Sequence, residues 1–148
     1  MKLLTYIHNG TEQVGVRRGD EVIPLGDLSS EFPASLLEIL ARDQLAAVRD
    51  AFTKYDGDGI SVSTIQYQTL IPRPGKVVCI GRNYAAHAKE GGAEPPSFPE
   101  VFMRGAMSLL PHKGEIIRPQ CSEMLDYEGE IACIIGKTCR HATADDAL

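Results

Sequence analysis

Leu125-Asp126-Tyr127-Glu128-Gly129-Glu130-Ile131-Ala132-Cys133-Ile134-Ile135, closed by Gly136, has the pattern of a β-strand. Side chains alternate along an extended backbone. Leu125, Tyr127, Ile131, Cys133 and Ile135 fall on one side. Asp126, Glu128 and Glu130 fall on the other, followed by Ala132 and Ile134, so the acidic face turns apolar within two residues. Glu128 and Glu130 project the same way, about 6.5–7 Å apart along the strand. Two part-buried carboxylates repel unless a proton or a cation lies between them. A hard divalent cation such as Mg2+ or Mn2+ prefers oxygen ligands and answers that need. Read by itself, the stretch also fits an edge strand with a solvated acidic face.

Upstream, residues 76–80 form a short apolar run of strand type. It leads into Gly81-Arg82-Asn83-Tyr84-Ala85-Ala86-His87-Ala88-Lys89-Glu90, then Gly91-Gly92. Asn83 can cap a helix of two turns and the glycine pair can stop it. His87 and Glu90 are three apart on that helix and share a face. A carboxylate beside an imidazole favours the imidazolium and fixes the ring. In a site poor in water the pair can take a proton from water as general base. The ordinary alternative for this spacing is a surface ion pair.

The first half has a different texture. Residues 2–8 predict an opening strand, and 13–25 a hairpin turning at Arg18-Gly19-Asp20. Ser35 and Glu38 have capping-box spacing ahead of Leu36, Leu37, Ile39 and Leu40. A second helix is predicted over 43–55, and 61–70 reads as extended. Ile71-Pro72-Arg73-Pro74-Gly75 reads as a linker, since two prolines disfavour helix and central strand alike. The expected division is a small α+β module over 1–70, a linker at 71–75 and a second domain over 76–148. Asn9-Gly10-Thr11 has the form of a glycosylation sequon, taken as inert without a secretory signal. Asp56, Asp58 and Gly59 resemble a calcium loop, but Lys54 and Ile65 would fill its first and last positions, so it fails.

Composition narrows the function classes. The net charge of −5 lacks the basic footprint of a nucleic-acid binder. No apolar run is long enough to span a membrane, and the opening residues lack a signal-peptide core. Cys79, Cys121, Cys133 and Cys139 form no C-x-x-C pair, which argues against a zinc knuckle and for reduced thiols in a cytoplasmic protein.

Taken together, Gly81-Arg82-Asn83-Tyr84 with His87 and Glu90, then Pro99 to Arg104, then Asp126 to Glu130 and Gly136-Lys137, resemble the fumarylacetoacetate hydrolase family in order and spacing. The resemblance covers about Arg73 to Leu148, and the first 70 residues are similar to the small module that many bacterial members carry. It implies a mixed β-roll following an α+β module. It implies Mg2+ or Mn2+, sometimes Ca2+, held by Glu128 and Glu130, with His87 and Glu90 as a water-activating dyad on a lid. Members act on small oxo acids, many by cleaving a carbon–carbon bond in a diketo acid and others by decarboxylation or isomerisation. Arg82 or Arg104 could meet the substrate carboxylate, and Tyr84 could donate a hydrogen bond. Lys is common in the family where this chain has Arg104. A homodimer is the expected assembly. Family domains run on past this point to a third acidic ligand and a lysine, so the chain reads as a fragment of the catalytic domain.

Overall fold

A computed structural model of the chain describes residues 1–92, 94 and 96–147, apart from the side chain of His87. Helices are mixed with antiparallel sheets, an α+β arrangement in two compact units. One unit is Met1–Ile71 together with the segment from Pro111 onward, and the other is Pro72–Leu110.

The first unit is built on a meander. Strand β1 (Leu3–His8) pairs antiparallel with β2 (Thr11–Arg18), which pairs with β3 (Glu21–Pro24). In register, His8 faces Thr11, leaving Asn9 and Gly10 as a two-residue loop. Both have positive φ, 50° and 76°, as a type I′ hairpin requires. The triplet read as a sequon is therefore the turn that sets this hairpin. The second loop, Gly19-Asp20, has glycine first at φ 60°. After a single helical turn α1 (Leu25–Leu28), helices α2 (Leu36–Ala41) and α3 (Leu45–Lys54) follow. Short strands β4 (Ile60–Ser61) and β5 (Gln66–Tyr67), separated by a 3-10 turn, complete the sheet in the order β4-β3-β2-β1-β5. Residues 61–70, expected to be extended throughout, are thus broken where Ser61 accepts a bond from the Ser63 amide.

The core of this unit is Val14, Val16, Leu25, Leu36, Ile39 and Val48. Leu36 and Ile39 are three apart, so α2 buries one stripe and leaves Leu37 exposed. Ser35 caps α2 in extended conformation, but without the side-chain bond of a capping box. Glu38 turns instead to Arg42, one helical turn on, at 2.7 Å. That i,i+4 geometry suits a charge-assisted bond better than the reach back to the cap. Tyr6 is fully buried, its hydroxyl donating to Gln13 Oε1 at 3.1 Å. Burial, with the Asp27 carboxylate adding to it, pushes the Tyr6 phenol up to about 12. From Pro111 onward the described residues carry no regular strand or helix. Edge contact of His112 with the Tyr67 ring, centroids 4.8 Å apart, and an ion pair of Lys137 with Asp43 at 3.1 Å tie them to the first 71 residues.

The second unit is a two-stranded antiparallel ribbon with one helix. Strand β6 (Val77–Gly81) pairs with β7 (Glu100–Arg104), from Val77 opposite Arg104 to Gly81 opposite Glu100. Helix α4 (Ala85–Glu90) lies between them in sequence and buries Ala88.

Candidate functional site

The expected site residues fall in both units. His87 and Glu90 belong to α4, Arg82 and Tyr84 to its entry turn and Arg104 to the end of β7, all in the ribbon unit. Glu128 and Glu130 belong to the segment of the first unit that follows Pro111.

Helix α4 starts at Ala85, so Tyr84 rather than Asn83 stands at the cap, its carbonyl accepting from the Ala88 amide at 3.0 Å. The helix stops as its glycines demand: Gly92 takes φ 67° and its amide donates to the Lys89 carbonyl. Glu90 is exposed at the last turn. The expected pairing of Glu90 with the His87 ring falls on a side chain outside the described residues.

This unit also holds an ion pair that sequence reading did not assign, Arg82 with Glu100. Arg82 takes a left-handed backbone, φ 51°, where β6 gives way to the turn. Its guanidinium grips Glu100 in a fork: Nε donates to Oε2 at 3.0 Å and Nη2 donates to Oε1. The Arg82 hydrogen bond holds the Glu100 carboxyl below the usual carboxylate range, and Glu100 in turn raises Arg82. Arg82 is one of two arginines expected to meet a substrate carboxylate, and in the structure its fork already holds a carboxylate of the same chain. No spacing in the sequence identified Glu100, because the register that sets it opposite Gly81 is fixed only when β6 and β7 pair. Arg104 donates from Nε to Ser108 Oγ at 3.3 Å, and Ser108 donates on to the Gly105 carbonyl at 2.8 Å. Tyr84 is 39% exposed, so its ring is not packed away at the helix start.

Residues 125–135 are not a strand, contrary to the alternation reading. Alternation marks a backbone suited to a sheet, but a strand exists only when a neighbour completes its ladder. The β6–β7 ribbon and the five-stranded sheet are each paired within themselves. Glu128 and Glu130 are exposed, and Gly129 between them faces open space. Local bonding here is short in range: Asp126 Oδ1 accepts from the Tyr127 amide at 2.8 Å. Among the described residues no group of three or more His, Cys, Asp or Glu side chains converges. The donor chemistry of the pair is nonetheless that of a hard cation, two anionic oxygen ligands one residue apart. Two protein ligands are few for Mg2+, which then keeps most of its waters.

Residues 76–148 match the family described as fumarylacetoacetate (FAA) hydrolase C-terminal. The chain is 30% identical, over its whole length, to a fumarylacetoacetate hydrolase domain-containing protein 2 homolog of Dictyostelium discoideum, covering 50% of that protein. It is 32% identical, again over its whole length, to a 2,4-didehydro-3-deoxy-L-rhamnonate hydrolase of a Sphingomonas species, covering 49% of it. Over 58% of the chain it is 37% identical to the human mitochondrial oxaloacetate tautomerase FAHD2A, covering 27% of that protein. The chain thus spans about half the length, or less, of these curated relatives.

Proposed function

Residues 76–148 of this chain belong to the fumarylacetoacetate hydrolase family, and from that premise we propose that it serves a metal-dependent hydrolase cleaving a carbon–carbon bond in a 2,4-diketo acid. One observation carries the reading. Within the matched residues, Tyr84, His87, Glu90, Arg104, Glu128 and Glu130 offer a base, two oxygen ligands and an anion-binding arginine in one short sequence. The hydrolase relative aligned over the whole chain supports the reaction class.

Glu128 and Glu130 would hold Mg2+ or Mn2+, with Ca2+ a further candidate, together with ligands from outside this pair. Such a cation supplies Lewis-acid polarisation of the substrate's 2-oxo carbonyl. His87, oriented by Glu90, takes a proton from water, and the hydroxide attacks the distal carbonyl. The carbon–carbon bond then breaks to release a carboxylic acid and a 2-oxo acid, and the proton returns to the carbon released. Arg104, with its planar fork of donors, and the Tyr84 hydroxyl are the groups offered to the substrate's acid end. The family's β-roll is the fold proposed for the complete catalytic domain.

A second reading, an oxo acid tautomerase, is favoured by the similarity to the human tautomerase. Tautomerisation moves a proton and needs no activated water, so the two readings part at His87. Calorimetry with Mg2+ and Mn2+ and turnover of an acylpyruvate, both on the full chain, form the test. Weak cation binding that disappears in Glu128→Gln/Glu130→Gln, and turnover lost in His87→Ala, support the hydrolase. Equal cation binding by the double variant sinks the metal site, intact acylpyruvate cleavage in His87→Ala removes His87 as the base, and keto–enol interconversion of an oxo acid with no acylpyruvate cleavage turns the choice to the tautomerase.

A further inference from the structure

Arg82 stands where β6 ends and the chain turns toward α4. Its φ of 51° lies in a left-handed region that long side chains seldom enter. Glu100 is the partner placed to hold its side chain there. It opposes Gly81 across the ribbon and forks onto the Arg82 guanidinium. A Cβ at position 81 would lie 3.3 Å from Glu100 Cβ and 3.4 Å from its Oε2. Glycine there keeps clear the lane by which the Glu100 side chain passes the end of β6 to reach the next residue. Gly81, Arg82 and Glu100 therefore form one clamp, in which a cross-strand carboxylate grips the first residue beyond the strand.

What the clamp controls follows from length. Helix α4 has six residues, too few to persist in water by its own hydrogen bonds. Its direction is set from outside, by the buried Ala88 and by the turn that launches it. We propose that Glu100 is a positioning residue, which acts through Arg82 to fix the 82–84 turn and so the direction in which α4 presents His87 and Glu90. The inference rests on the reading of that pair as the water-activating dyad. Arg82 is suited to the task because its planar guanidinium meets both carboxylate oxygens at once, which a lysine ammonium does not.

The test uses the full chain with Glu100→Ala, Arg82→Lys and the charge exchange Arg82→Glu/Glu100→Arg. NMR reads the Cα shifts of residues 85–90 and the titration of the His87 ring, while the amides of β6 and β7 report whether the sheet that carries the clamp is folded. Turnover of an acylpyruvate with Mg2+ separates kcat from KM. Both single variants are expected to lower the helical shifts, move the His87 titration and reduce kcat about tenfold with KM nearly unchanged. The charge exchange recovers part of each. The clamp is refuted if Glu100→Ala keeps wild-type α4 shifts and His87 titration with the sheet intact. Should Glu100→Ala lose the sheet signals, Glu100→Gln, which keeps the shape and weakens the fork, is judged by the same shifts. Helix shifts that respond in a chain turning over no diketo acid support the clamp and count against the diketo acid reading alone.

Discussion

Tyr6 illustrates how one buried residue couples the sheet to pH. Its phenol is pushed up to about 12 because the charged form would lie in the core beside Asp27. The unfolded chain releases that proton near pH 10 and the folded chain only near 12. In this window the folded state binds more protons, so stability falls as pH rises. The contribution is complete below pH 10 and is lost by about pH 12, amounting to about 2–3 kcal/mol. Urea unfolding between pH 8 and 12 should show a slope in the parent chain that exceeds that of Tyr6→Phe. Identical slopes would place the Tyr6 ring in water. Of the expected site residues, Arg82 was legible as a charged group but not as half of an ion pair. Its partner, Glu100, is eighteen positions away in sequence, and only strand register makes them neighbours.

The elements were most legible where local chemistry alone decides them. The opening strand, the hairpin expected over 13–25, which is β2–β3, and the helix expected over 43–55 occur within a few residues of their predicted bounds, and α2 follows Ser35 as its apolar spacing predicts. Asn9-Gly10, read in the sequence only as part of an inert sequon, is a turn that reading missed, and both residues take positive φ in its two-residue loop. An alanine at position 10 would meet no neighbour, but its Cβ resists φ 76°. Gly10→Ala should therefore cost about 1 kcal/mol in urea unfolding, with Gly10→Asn costing less. An equal cost for the two would assign the loss to something other than the left-handed backbone. The reading failed at 125–135, where period-two alternation is real and the strand is not.

Across the whole molecule, order is unevenly distributed. The meander buries Val14, Val16, Val22 and Ile23, whereas residues 113–120 are exposed throughout and carry no ladder. The Lys137–Asp43 pair, both side chains more than two-thirds exposed, adds little to that segment's hold, about 0.5 kcal/mol or less. Hydrogen exchange should find the amides of β2 protected to near the global stability and those of 113–120 exchanging almost at once. Equal protection would show that the segment is folded as firmly as the sheet. The sequence by itself determined the hairpin, the helical stripes and the identity of the chemical groups, because turn φ preference, side-chain period and ionisable chemistry are carried by a few adjacent residues. Tertiary structure alone decided that Arg82 is gripped by Glu100 and that the acidic stretch is not a strand. Each of those depends on which distant backbone comes within hydrogen-bonding reach, and no local pattern encodes that distance.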